Sequence, residues 1–158
     1  MKIEIDDLEK TYNVCIKTGK IKEKKADIEL IKSVKLVAEN GLDFIKRKSE
    51  GTQKDSTDWT YVFRDYYESL RGLIEAYLLL DGVESDNHQC NNAYLCSKHK
   101  ELELNWEFFE IIRLKRNAIN YRGHSLKYED WEKFELNLQL HIDILRKGID
   151  KRLSDGEK

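Results

Sequence analysis

Apolar residues recur along most of this chain at the three-to-four-residue spacing of a helix laid against a core, and polar runs separate the segments that carry them. Residues 5–17 predict a short first helix, broken by Gly19 and the lysine-rich run that follows. From Ala26 to Lys48 the positions Leu30, Ile31, Val34, Val37, Ala38, Gly41, Phe44 and Ile45 form a stripe at i, i+3, i+4 and i+7, which predicts a core-facing helix. Residues 49–57 (SEGTQKDST) are polar and read as a loop inside one domain, with Ser56 or Thr57 capping the next helix.

The clearest helical pattern runs from Trp59 through Phe63, Tyr66, Leu70, Leu73, Tyr77 and Leu78 to Gly82, placed where a C-cap glycine belongs. Ser85, Asp86 and Asn87 are N-cap types ahead of a shorter segment ending near Lys100. A further helix covers about Asn105 to Arg122, and the last begins after Gly123, with Ser125 as its cap, and runs through Trp131, Leu138, Leu145 and Ile149. Short connections imply antiparallel neighbours. The expectation is one domain over 1–158, an all-α, antiparallel up-and-down bundle of about five helices, with residues 1–20 holding the short N-terminal helix.

Composition sharpens that picture. The 158 residues contain no proline and eight glycines, so long stretches carry nothing that interrupts a helix. The formal charge of -2 supplies no global field for holding nucleic acid or an anionic membrane, so any such contact needs a local patch. Met1 to Lys10 is acidic without the apolar core of a signal peptide, and Ala76 to Leu80 is too short to span a bilayer. A cytoplasmic chain with no membrane partner is expected, and Cys15, Cys90 and Cys96 are then expected as reduced thiols.

The segment from Trp106 to His124 (WEFFEIIRLKRNAINYRGH) places polarity with a geometry that core packing does not require. At about 100° per residue, Phe108, Ile111, Ile112, Ala118 and Ile119 share one arc, while Arg113, Arg116, Asn117, Asn120 and His124 share another. Guanidinium forks match phosphate oxygens and amides supply directed donors, so this edge is a candidate phosphate-binding surface; a solvated helix face is the plainer reading.

Arg116-Asn117-Ala118-Ile119-Asn120-Tyr121 resembles the hallmark of the HEPN family, an Arg commonly followed by Asn and then, after four to six residues, by His. The stretch from Arg64 to Leu95 is similar to that family too, with an aromatic-rich helix, a glycine, and a capped helix opening with His88. The resemblance implies a helical bundle, homodimeric, that binds RNA or a nucleotide in a toxin–antitoxin setting, often beside a nucleotidyltransferase-type partner. It also implies metal-independent RNA cleavage, without cofactor, by Arg and His across a dimer cleft.

Here the chain departs from the family. Positions 121–123 hold Tyr121, Arg122 and Gly123, and His124 lies one residue too far. A phenol with a pKa near ~10 is a poor base at neutral pH, which implies weak or absent catalysis. Arg116, Tyr121 and His124 are the candidate catalytic residues, and Arg113, Asn117 and Asn120 the candidate binding residues. Two alternatives stay open: an endoribonuclease toxin, and a non-enzymatic dimeric interaction module. His88, Cys90, Cys96 and His99 do not have a standard zinc spacing, so no metal is expected.

Overall fold

The computed structural model describes residues 4–156, so the two ends of the expected domain lie outside the described residues. Six α-helices follow one another: α1 (Leu8–Lys17), α2 (Ile28–Glu50), α3 (Trp59–Leu80), α4 (His88–Lys98), α5 (Trp106–Arg122) and α6 (Tyr128–Gly156). A 3-10 turn at Lys100–Leu102 joins α4 to α5. Among the described residues the chain is an all-α bundle of six helices, where about five were expected. One feature the periodicity does not predict is a short antiparallel pairing of β1 (Lys22–Glu23) with β2 (Val83–Glu84), which ties the α1–α2 connection to the end of α3.

Local chemistry sets the helix starts. The side chains of Asp7, Asp27, Asn87 and Asn105 accept hydrogen bonds from the backbone N–H groups of Lys10, Leu30, Cys90 and Phe108 at 3.0, 3.2, 2.9 and 3.0 Å. Each satisfies an orphan donor and contributes roughly 1 kcal/mol. Gly82 and Gly123, beyond the ends of α3 and α5, take φ of +75° and +64°, a left-handed turn that costs glycine nothing. Ser125 is not the cap of α6. Leu126 is buried, and its N–H donates to Thr60 Oγ1 at 2.8 Å, so α6 does not begin until Tyr128, where Asp130 Oδ2 accepts from Lys127 N–H at 3.1 Å.

Helix α3 is the axis of the bundle. It buries residues on every side, with Phe63, Leu70, Leu73 and Leu78 among the most enclosed. Helix α2 approaches it closely. A Cβ at Gly72 would sit 3.1 Å from Ala38 Cβ, and one at Gly41 would sit 2.8 Å from Ser69 Oγ. Helix α6 covers another side, where Trp131 stacks with Trp59 and meets Tyr66 at a tilt, and Phe63 meets Phe134. The buried His141 ties α6 to the start of α5: its Nε2 accepts from Asn105 N–H at 3.1 Å and its Nδ1 donates to Asn137 O at 2.7 Å.

Two expectations need correction. The apolar stripe of α2 is only half core: Ile31, Ala38 and Ile45 are buried, joined by Leu42 from outside the stripe, whereas Leu30, Val37 and Phe44 face outward. Its apolar arc is wider than the strip that α3 covers. The cysteines are not all thiols either, because Cys15 of α1 and Cys90 of α4 form a disulfide. Asn87 starts α4 so that Cys90 falls in its first turn, beneath α1. Cys96 keeps its thiol, which burial pushes up to about 12.

The 75-residue separation of Cys15 and Cys90 gives the bond its leverage. Closing a loop of that size removes chain entropy from the unfolded state, on the order of 4 kcal/mol in the chain-entropy account. Cys15→Ser should therefore lower the urea midpoint markedly under oxidising conditions. Dithiothreitol should lower the parent chain similarly and leave the variant unchanged.

Candidate nucleic-acid interface

The segment singled out by sequence becomes α5, and the structure divides its polar residues into two groups. Arg113 and Arg116 turn inward. The Arg116 guanidinium grips Glu68 of α3, Nε and Nη2 donating to Oε1 at 3.2 and 3.0 Å, and lies 5.8 Å from the centre of the Tyr67 ring. Glu68 Oε2 accepts from Arg71 Nη1 at 3.0 Å, and Arg71 Nε lies 3.1 Å from Glu75 Oε1. Alternating charges thus run from α5 along α3.

Arg113 makes a two-pronged contact with Glu110, Nε to Oε1 at 3.0 Å and Nη2 to Oε2 at 2.8 Å. Glu110 is only 1% exposed, so the pair is held in a low-dielectric interior and fixes the guanidinium in place. Gln89 Nε2 donates to Glu110 Oε2 at 2.8 Å and to Asp6 Oδ2 at 3.0 Å. Trp106 Nε1 donates to Asp6 O at 2.8 Å. The segment leading into α1 is thereby anchored on α4 and α5, beside the Cys15–Cys90 bond.

The second group faces outward. Asn120, Tyr121, Arg122 and His124 are all exposed, Tyr121 at 78%. The helix ends at Arg122, so His124 does not continue its polar arc. Gly123 reverses the backbone, and the His124 N–H donates to Ala118 O at 3.2 Å, satisfying a carbonyl of the last turn. Asn117 is half-buried, its Oδ1 3.5 Å from Arg116 Nη1. The six candidates therefore form an inner pair of fixed arginines, a bridging amide, and an exposed rim of amide, phenol and imidazole.

Sequence reasoning missed His88 as a neighbour of this region, weighing it only as the capped opening of α4 and as a zinc ligand. Asn87 is the cap, and His88 lines a small recess with Tyr67, Arg71, Asn91, Asn92 and Phe109. Its ring centre lies 6.4 Å from that of Tyr67. Burial, then the positive fields of Arg71 and Arg116, hold the imidazole down to about 4, so it is neutral near pH 7. Burial likewise pushes the Tyr67 phenol up to about 12, against the pull of Arg116. No spacing rule reveals this cluster, because its members come from three helices.

Among the described residues, no group of three or more His, Cys, Asp and Glu side chains is placed to hold a metal ion. Cys90 is bonded to Cys15, Cys96 is buried, and His99 binds Asp81 through Nε2 and Glu101 through Nδ1. No described helix is long and apolar enough to cross a membrane. The class defined by fold and site is thus a helical bundle with a polar, arginine-bearing helix end. No protein-family model matches the chain, and no curated protein or solved structure does either.

The half-buried His88 and the buried His141 make acid sensitivity testable. Below its unfolded pKa of about 6.5, His88 takes up a proton in the unfolded chain that the folded chain refuses until near 4. The stability from keeping it neutral is complete above that range and is lost as pH falls from about 6.5 toward 4. Burial lowers His141 in the same direction, so subtraction is needed to isolate His88. The unfolding free energy of His88→Gln should fall less over this window than that of the parent, and the His88 ring should titrate near 4 by NMR.

Proposed function

We propose that this chain is a HEPN-type RNA- or nucleotide-binding protein that uses the C-terminal end of α5. The observation that carries the reading is the exposure of Tyr121 at 78% beside exposed Asn120, Arg122 and His124. An aromatic ring standing in solvent is a stacking platform for an unpaired base, and cationic and amide neighbours supply phosphate and base-edge contacts. The Arg116-Asn117 pair supports the family assignment, together with the helical bundle around it.

Catalysis is weak or absent in this reading. Arg116 already has a carboxylate partner, and the position matched to the family's His holds the Tyr121 phenol. The family setting makes the chain a homodimeric component of a toxin–antitoxin-type system with a nucleotidyltransferase-type partner, in the cytoplasm. The Cys15–Cys90 bond weighs against that location, since cytosolic thiol buffers keep most cysteine pairs reduced.

Fluorescence anisotropy with a labelled single-stranded RNA tests the proposal. Tyr121→Ala should weaken binding by the worth of one stacked base, about 1–3 kcal/mol, or roughly 5- to 150-fold. Arg122→Ala should weaken it and flatten the salt dependence. In EDTA the parent should not cleave the RNA; cleavage abolished by Arg116→Ala would establish the ribonuclease reading instead. Absence of any binding, or binding indifferent to Tyr121 and Arg122, sinks the proposal.

A further inference from the structure

The outward half of the α2 stripe borders an open groove of about 540 Å³ between α2 and α3. Val34, Val37, Ala38, Gly41 and Phe44 supply its apolar side, and Asp65, Glu68, Ser69, Gly72 and Glu75 the wall from α3. Val37 is 72% exposed and Phe44 50%. Leu30, Val34, Val37, Gly41 and Phe44 are spaced four, three, four, three, the seam spacing that one helix offers another. They extend over about 21 Å at 1.5 Å per residue, four turns of a docked helix.

Charge selects the occupant. The ionisable residues lining the groove are three carboxylates and no cation. The cations that pair with them, Arg64, Arg71 and Arg116, do not line it. Burial raises the Glu75 carboxyl, Glu68 and Asp86 push it the same way, and Arg71 offsets this only in part. The groove lining itself thus presents carboxylate oxygens and no cation to an incoming chain.

The geometry points to the α2–α3 groove as a docking site for an amphipathic helix of a partner protein, with an apolar seam against Val37 and Phe44 and Lys or Arg along the edge that meets Asp65, Glu68 and Glu75. A second copy of this chain is a poorer occupant. A two-fold contact sets the same surface against itself, bringing carboxylates toward carboxylates. An anionic lipid surface or a nucleic acid meets the same repulsion.

The test uses the full chain and two fluorescent 18-residue helical peptides with leucine at seam positions, one carrying lysine elsewhere and the other glutamate. The Leu/Lys peptide should bind, and the Leu/Glu peptide should not. Val37→Asp and Glu75→Lys should each weaken binding at least tenfold, with circular dichroism verifying that each variant keeps its helices. No binding of the Leu/Lys peptide, binding that ignores either substitution, or equal binding of both peptides overturns the proposal. So does a dimer in sedimentation that Val37→Asp dissociates, since a second copy would then fill the groove. No RNA enters this measurement, so its outcome is separate from that of the α5 reading.

Discussion

The burial of α3 is the constraint on which the rest of the structure depends. Every other helix except α1 packs against it, and its sequence is written for enclosure, with apolar or aromatic residues on nearly all faces. A helix apolar on most of its circumference leaves only a narrow charged stripe for solvent, here Arg64, Asp65, Glu68, Arg71 and Glu75, so neighbours must cover the rest. The glycines serve that end where helices crowd: Gly72 and Gly41 admit α2, and Gly148 of α6 admits the Tyr77 ring, which a Cβ would approach to 2.9 Å. The few polar side chains on α3 then matter disproportionately, because they are the ones that meet charges from other elements.

Those polar groups are resolved in the middle and at the C-terminal end of α3 by different means. At its C-terminal end Asp81 gathers three partners: Tyr94 Oη donates at 3.0 Å, Arg152 Nη1 donates at 2.5 Å, and His99 binds through Nε2. Burial alone would raise this carboxyl, but the bonds from His99, Arg152 and Tyr94 outweigh it and the pKa is lowered. The result knots α4 and α6 to the end of α3. In the middle of α3, Glu68 serves Arg71 and Arg116 at once while remaining partly exposed. The first arrangement closes the fold, and the second leaves a charged group within reach of solvent.

Helix positions were largely legible in the sequence, because caps and glycines act locally. Asn105 and Gly82 stand where residue chemistry predicts them, whereas α3 starts at Trp59 behind Asp58, with neither Ser56 nor Thr57 as its cap. Ser125 failed as a cap because a long-range contact decided the issue, Thr60 holding Leu126 from a distant helix. The same limit explains the rest. Periodicity shows that α2 has a wide apolar arc but not which half a neighbour covers, and composition cannot show that α1 delivers Cys15 to Cys90. At the candidate site the residues of α5 were legible as one edge, whereas the carboxylates that turn Arg113 and Arg116 inward depend on tertiary placement.

Glu68 belongs to both of the surfaces discussed above, since it lines the α2–α3 groove and grips Arg116 of α5. A cation entering the groove competes with Arg116 for this carboxylate, and an anion reaching Arg116 competes with Glu68 for the guanidinium. Each event leaves the other half of the pair short of a partner, so the two favour one another, and linkage requires the effect to be equal in both directions. The sign follows from Coulomb's law for any cation in the groove and any anion at Arg116. Arg71 limits the size, because it continues to neutralise Glu68 from its other oxygen when Arg116 is drawn away. With Glu68 partly open to solvent, the coupling is modulatory, well below the strength of a buried ion pair. A bundle organised around α3 thus joins the α2–α3 groove to the α5 edge through a single, partly exposed carboxylate.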